Sequence, residues 1–390
     1  DLDGTNLATV KSFTYDAPGR SGDELGVQLW QSPDGMLYGV VSNGGSHYGG
    51  VIYEYNLATG AYTVKHNFNY TDASGYYPSN GLTLANNGKL YGMTSYGGTS
   101  DKGVLYEFDY TTGAYAKKVD FTGANGANPS GGGLYLHTNG KLYGVVAYGG
   151  ANGFGVIFEY DPETSTYTKK IDFDGSNGKF PYSALARASN GNIYGVAIQG
   201  GTSDRGVLFE YNPTTNALTK HFDFGSSNGE YPVCTLIETA NGNMYGATLS
   251  GGTSGGGVMF ELNTTTHAVT KKLNFTNADG SGRMGSMVKA TNGKLYGLSY
   301  FGGSYEDGVL YEYDPGTNSY AKKYEFRFDQ PTNFSFNGYA PRSTLMQATN
   351  GKLYGTTSFG GTSNSGVLFE YNIVDNIYTK KIDFNGAPNG

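Results

Sequence analysis

Seven glutamates stand in one local phrase, Gly-Val-Leu-Tyr-Glu-Tyr or a near copy: Glu54, Glu107, Glu159, Glu210, Glu261, Glu312 and Glu370. Most copies follow it with a lysine pair, as at Lys117-Lys118, Lys169-Lys170, Lys271-Lys272, Lys322-Lys323 and Lys380-Lys381. Seven converging carboxylates would make an acidic site. One carboxylate in each of seven equivalent strands, beside lysines on the adjacent strand, instead makes cross-strand ion pairs of about 0.2–1 kcal/mol each. The regular recurrence favours the second reading, and lysines on an outer strand also discourage edge-to-edge aggregation.

Other reactive groups form no local constellation. His47, His66, His137, His221 and His267 fall at unequal places in the repeated phrases, and no zinc-protease, nucleophile-elbow or EF-hand pattern occurs. The Gly-Gly pairs, such as Gly97-Gly98 and Gly200-Gly201, precede no helix and no Lys-Ser/Thr, so they are turn glycines rather than phosphate loops. Asp1-Leu-Asp-Gly4 is too short for a calcium loop. The single Cys234 excludes an internal disulfide and a cysteine zinc site, and its place in an expected strand makes it a buried thiol. No catalytic residue, metal or cofactor is assigned. Carboxylates drawn from several repeats would be the route to catalysis.

The positioning elements follow from periodicity. Asn-Gly-Lys-Leu-Tyr-Gly or a variant recurs with tyrosines at Tyr38, Tyr91, Tyr143, Tyr194, Tyr245, Tyr296 and Tyr354, in steps of 53, 52, 51, 51, 51 and 58 residues. A period near 50 residues means a repeat architecture. In the copy at 181–224, Tyr182–Ala188, Asn192–Ala197, Gly206–Tyr211 and Ala217–Phe224 read as four strands. The turn at Asn190-Gly191 is expected to need positive φ at both central residues. Four meandering antiparallel strands per repeat make an all-β fold, a β-propeller of four-stranded blades over residues 1–390. The complete repeats span about 24–68, 78–121, 129–173, 181–224, 232–275, 284–326 and 341–384. Residues 1–15 match a spare outer strand, so seven blades are expected, with an eight-bladed ring in a longer parent as the alternative. The 63 glycines, 35 tyrosines and one tryptophan mean that tyrosine and phenylalanine rings supply much of the buried area.

Pro-x-x-x-Leu ahead of Asn-Gly-Lys-Leu-Tyr-Gly, the Gly-Gly pair, and Gly103-Val-Leu-Tyr-Glu-Phe108 together resemble the Gloeo/Verruco (GloVer) tandem repeat. The resemblance covers nearly the whole chain. It implies a propeller secreted or held on the outer cell surface of a Gram-negative bacterium, with the Bacteroidetes as a source. It implies no activity.

Function is therefore sought where the copies differ. Loops after the second and fourth strands share one face of the disc, and the extra residues of the 53 and 58 steps lie there, in 69–78 and 327–339. That face gathers rings: Tyr48, Tyr77, Phe154, Phe180, Tyr231, Tyr305, Phe336 and Tyr339 are the candidate ligand-binding residues. Rings beside carboxylates and amides suit sugar stacking with hydroxyl hydrogen bonds, and equally a protein hot spot. The simplest alternative is that they pack the loops onto the blade tops. A net charge of −7 argues against nucleic acid, and no stretch is apolar enough to insert in a membrane. The expectation is a non-enzymatic binding propeller, with a glycan preferred over a protein of the surface or secretion machinery. A scaffold is the alternative, and a glycoside-active enzyme a further one. Oligomeric state is not legible.

Overall fold

The computed structural model describes residues 30–383, apart from 43–44, 57–58, 60, 285–286, 329–336, 342–343, 349, 363 and 365. The expected spare strand at residues 1–15 lies outside the described residues. Among those described, the strands fall into seven antiparallel sheets, each following chain order, and one short 3-10 turn at Asn277–Asp279 is the helical element. The fold is an all-β propeller of seven four-stranded blades. The chain divides into two compact units between Asp223 and Phe224, with blades 1 to 4 in one and blades 5 to 7 in the other.

Blade 2 shows the pattern in Tyr76–Leu84, Leu90–Tyr96, Val104–Phe108 and Tyr115–Asp120. In blade 4 the paired part of the first strand shrinks to Ala186–Arg187, followed by Ile193–Ala197, Val207–Asn212 and Ala217–Asp223. The expected strand over 182–188 is longer than the observed one. After an isolated bridge between Lys179 and Gln199 the chain leaves the ladder until Ala186 pairs with Tyr194. In blade 5 the same interruption splits the first strand into Glu230–Pro232 and Ile237–Glu238, both paired to Met244–Ser250.

The Asn-Gly turns differ from expectation. Only the glycine takes positive φ, for example Gly88 at 74°. The hairpin closes through Ala85 N–H to Lys89 O (2.9 Å) and Gly88 N–H to Ala85 O (3.0 Å). This is a type I turn followed by a glycine bulge, which leaves the asparagine with negative φ. The asparagine is selected by its side chain instead. Asn87 Oδ1 accepts from Lys89 N (3.1 Å), and its amide donates to the Tyr91 hydroxyl (2.8 Å).

That hydroxyl leads to the repeated glutamate. Tyr91 donates to Glu107, and Tyr296 donates to Glu312 at 2.5 Å. The glutamate also meets the second lysine of the fourth-strand pair, as in Lys118–Glu107 (3.3 Å) and Lys323–Glu312 (3.3 Å). A register shift in each third–fourth strand pair leaves this lysine outside the regular ladder, facing the glutamate. In blades 3, 6 and 7 the lysine of the turn phrase adds a third contact: Lys141–Glu159 (3.0 Å), Lys294–Glu312 (2.8 Å) and Lys352–Glu370 (2.9 Å). Burial alone would raise the Glu159, Glu312 and Glu370 carboxyls. Tyrosine and lysine donors outweigh it and hold all three below their ordinary range. The structural assignment of the glutamates holds, with tyrosine as a partner beyond the expected lysines; in blade 4 His221 takes the lysine's place against Glu210 at 2.8 Å and the Asn192 amide donates to the same carboxylate.

Blades pack through rings. The phenylalanine ending a fourth strand meets a third-strand ring of the next blade, as in Phe121–Phe158 (5.9 Å), Phe173–Phe209 (5.3 Å), Phe275–Tyr311 (5.6 Å) and Phe326–Phe369 (5.5 Å). In blades 2 to 7 a third-strand ring lies over the glycine of the second-strand phrase, Leu-Tyr-Gly or its variant. A Cβ on Gly92 would collide with the Tyr106 ring and hydroxyl, and one on Gly144 with Phe158.

Candidate functional site

Within each blade the ends of the second and fourth strands, and the loops they enter, lie on one face. The Gly-Gly loop after the second strand is pinned from the fourth strand. Asp120 accepts from Thr99 N (3.1 Å), Asp172 from Ala151 N (2.7 Å), Asp223 from Thr202 N (3.0 Å) and Asn274 from Thr253 N (3.1 Å). Both loop glycines take positive φ, as at Gly97 (87°) and Gly98 (78°), where another residue would be strained. In blades 2 and 4 an aspartate at left-handed φ closes the loop. Asp101 accepts from Gly97 N and Asp204 from Gly200 N, each at 2.9 Å. Such held loops present their side chains with little ordering cost on binding.

The candidate rings divide by backbone conformation. Tyr77, Phe180 and Tyr231 each precede a proline and sit in the left-handed region at 55°, 57° and 57°. All three are half-buried. Asn128 and Ala340 occupy the same place in blades 3 and 7, so the position asks for a conformation rather than a ring. Tyr77 packs edge-on against Tyr76 (5.0 Å) and Tyr96 (5.9 Å). Phe180 touches Tyr148 (5.5 Å) and Phe154 (5.9 Å). Tyr339 is half-buried, stacked on Phe359 (5.4 Å) and against Phe328 (5.1 Å). Tyr48 and Tyr305 are open, at 56% and 47% exposure, and the Arg327 guanidinium lies 4.7 Å over the Tyr305 ring. Phe336 lies outside the described residues. Phe154 and Phe180 are thus brought together. Tyr48, Tyr77, Phe154 and Phe180 belong to one compact unit, and Tyr231, Tyr305 and Tyr339 to the other.

Four rings at the same end of their own blades escaped the sequence reading. Tyr96, Tyr148, Phe301 and Phe359 each stand immediately before a Gly-Gly pair and are 39%, 39%, 49% and 39% exposed. Their signal was available: one repeat position, the last before Gly-Gly, holds an aromatic in four copies.

Two open clefts of about 610 Å³ each lie among these loops in blades 2 to 4. The first has Tyr96, Asp101 and Lys102 on one side and Asn128, Tyr148 and Gly149 on the other. Asp101 also accepts from the Tyr76 hydroxyl at 2.9 Å. Burial first, and then that bond, push the Tyr76 hydroxyl up to about 12. The second cleft holds Phe154, Asp174, Ser176, Lys179 and the loop Gly201–Asp204. Lys179 Nζ bonds Asp204 (2.9 Å) and lies 5.0 Å over the Phe154 ring. That lysine, and then the Gly200 N–H, lower the Asp204 carboxyl. The Asn177 N–H and the Ser176 hydroxyl do the same for Asp174. Ionised, internally held carboxylates beside open rings can accept hydrogen bonds from ligand hydroxyls. The lowered proton affinity of Asp174 and Asp204 does not suit a general acid at neutral pH.

Known proteins agree with this architecture. The sequence matches the Gloeobacter/Verrucomicrobia repeat over residues 1–190, 181–335 and 284–390, and the chain belongs to that family. No curated protein matches it. Among solved structures it is similar to the extracellular domain of a protein assigned as a hybrid two-component system of B. thetaiotaomicron. There the identity is 14% and the TM-score 0.56, covering 94% of this chain and 39% of that one. The chain therefore spans about two fifths of that relative's length. It is also similar to the periplasmic gluconolactonase of Pseudomonas aeruginosa, at 16% identity and TM-score 0.55 over 88% of this chain and 95% of that one. A protein assigned as a 6-phosphogluconolactonase of Bacteroides fragilis gives 17% identity and TM-score 0.56 over 88% and 93%. At these identities the likeness is one of fold.

Proposed function

We propose that this protein is a secreted or surface-exposed binding propeller that takes a glycan on its loop face, without turning it over. The observation that carries the reading is the set of open rings before the Gly-Gly pairs, of which Tyr96 in blade 2 stands on a pinned loop beside the held Asp101 carboxylate. A sugar ring presents an apolar face to an aromatic and hydroxyls at its rim, and both halves of that demand are met within one loop. The aspartates are engaged by internal donors, which favours recognition over acid–base work. Membership of the repeat family and the likeness to an extracellular domain support the location outside the cell.

The test is a microarray of plant, algal and microbial glycans probed with the folded chain and with Tyr148→Ala. Binding to a defined glycan class that falls about tenfold in the variant supports the reading, since a lost aromatic contact is worth on the order of 1 kcal/mol. A blank array refutes it and favours a scaffold.

A further inference from the structure

The two clefts of blades 2 to 4 are not separate sites. They share a wall, the loop from Tyr148 to Phe154: Tyr148 and Gly149 face the first cleft and Phe154 the second. Across that wall runs a continuous ridge of rings, Tyr148 to Phe180 at 5.5 Å and Phe180 to Phe154 at 5.9 Å. Ala151 N is tied to Asp172, and the Asn152 amide donates to Phe173 O at 3.0 Å, so the wall is held in place. A ligand filling one cleft therefore meets a firm aromatic ridge and, beyond it, a second cleft of equal volume.

The charges indicate what kind of ligand fits. The first cleft carries Asp101 and Lys102, which sum to zero, and the second carries Asp174, Lys179 and Asp204, which sum to −1. Lys179 is already committed to Asp204. An anionic polymer would meet no surplus of positive charge here, whereas an uncharged polyhydroxyl chain finds held carboxylates, an amide at Asn128 and ring faces.

We infer that the clefts of blades 2 to 4 form one extended subsite tract for an uncharged polysaccharide, crossed from the Tyr96–Tyr148 cleft over Phe180 to the Phe154 cleft. The inference rests on the glycan reading above and specifies its ligand as a chain interior rather than a terminal sugar. Neighbouring clefts on one rigid support convert the second contact into an intramolecular one, so affinity grows with chain length until both are filled.

The experiment is isothermal titration of the full chain with neutral gluco-, xylo- and manno-oligosaccharide ladders, from mono- to octasaccharide. Tyr96→Ala, Phe154→Ala and Phe154→Leu accompany it, the last keeping an apolar contact to Phe180 without the ring. The expected result is affinity that climbs with length and then levels off. Tyr96→Ala and either Phe154 variant each weaken the longest ligand about tenfold, while the shortest binding ligand responds to only one of the two positions. Binding that does not change with length, or a longest ligand indifferent to Phe154, overturns the tract and leaves the glycan reading standing. No binding on any ladder, together with a blank array, overturns both.

Discussion

His66 occupies, in blade 1, the position that holds Val119, Ile171, Phe222, Leu273, Tyr324 and Ile382 in the other fourth strands. Its ring stacks on Tyr115 of the next blade at 4.0 Å and 5°, and meets Phe68 edge-on at 4.8 Å. Its buried Nε2 has no protein partner. Burial lowers the imidazole from 6.5 to about 4, opposed weakly by the Asp72 carboxylate. Because the folded value is depressed, the native state holds the neutral ring. The stabilisation is complete above pH 6.5 and is lost as the pH falls from there towards 4. At about 1.4 kcal/mol per pH unit, the full loss is about 3 kcal/mol, and about 2 kcal/mol has gone by pH 5. Part of the ring still meets water, which reduces the expected value at pH 5 to about 1–2 kcal/mol. Urea unfolding of the native chain and of His66→Ile at pH 8 and pH 5 isolates the effect, since the carboxylates titrate alike in both. The variant should lose about 1–2 kcal/mol less between the two pH values. Equal losses, or a His66 ring that titrates near 6.5 by NMR, would refute the reasoning.

Three further outcomes follow from named contacts. The Tyr106 and Tyr311 hydroxyls are fully buried without a partner, at a position where Phe158, Phe209, Phe260 and Phe369 serve in other blades. Tyr311→Phe should therefore raise stability by about 1 kcal/mol in urea, and a loss of similar size would contradict the burial cost assigned to the hydroxyl. Glu312→Gln leaves Lys294 and Lys323 without their shared carboxylate and should cost about 2–4 kcal/mol. Since that carboxyl is held below its ordinary range, its contribution is present at neutral pH and fades as acid protonates it, so the gap between variant and native chain should narrow at low pH. Cys234 is buried and its thiol is pushed up to about 11, so a thiol reagent at pH 8 should label it only after unfolding; labelling of the folded chain at the rate of a free thiol would contradict this burial.

The seven copies of one phrase carried most of the fold. Gly88 and its counterparts mark a hairpin whichever turn type is used, because the bulge glycine and the two-residue turn share the same letters. The turn type was misread for that reason: Asn87 is there for its side-chain bonds to Lys89 and Tyr91, and a dipeptide rule is blind to those. The first strand of blade 4 is paired over Ala186–Arg187, shorter than the apolar alternation around it indicates, while its counterpart in blade 2 runs over Tyr76–Leu84 with Pro78 inside it.

The variable loops were legible in the sequence; the exposure of their rings was not. The alternation of antiparallel strands places the loops after the second and fourth strands at one end of each blade, and that is a property of the chain order. Which rings are open is not. Tyr77 and Phe180 turn partly inward because the residue before proline adopts left-handed φ there, whereas Tyr96 and Tyr148 stand open at the ends of second strands. The depressed proton affinity of His66 likewise needs Tyr115, which is 49 positions along the chain. Periodicity, turn chemistry and strand alternation are local, and the sequence alone determined what they determine: the blade, its repetition and its variable edge. The stacking that buries His66 and the walls of the clefts arise between blades. They depend on residues about one repeat apart, whose contact only the folded chain decides.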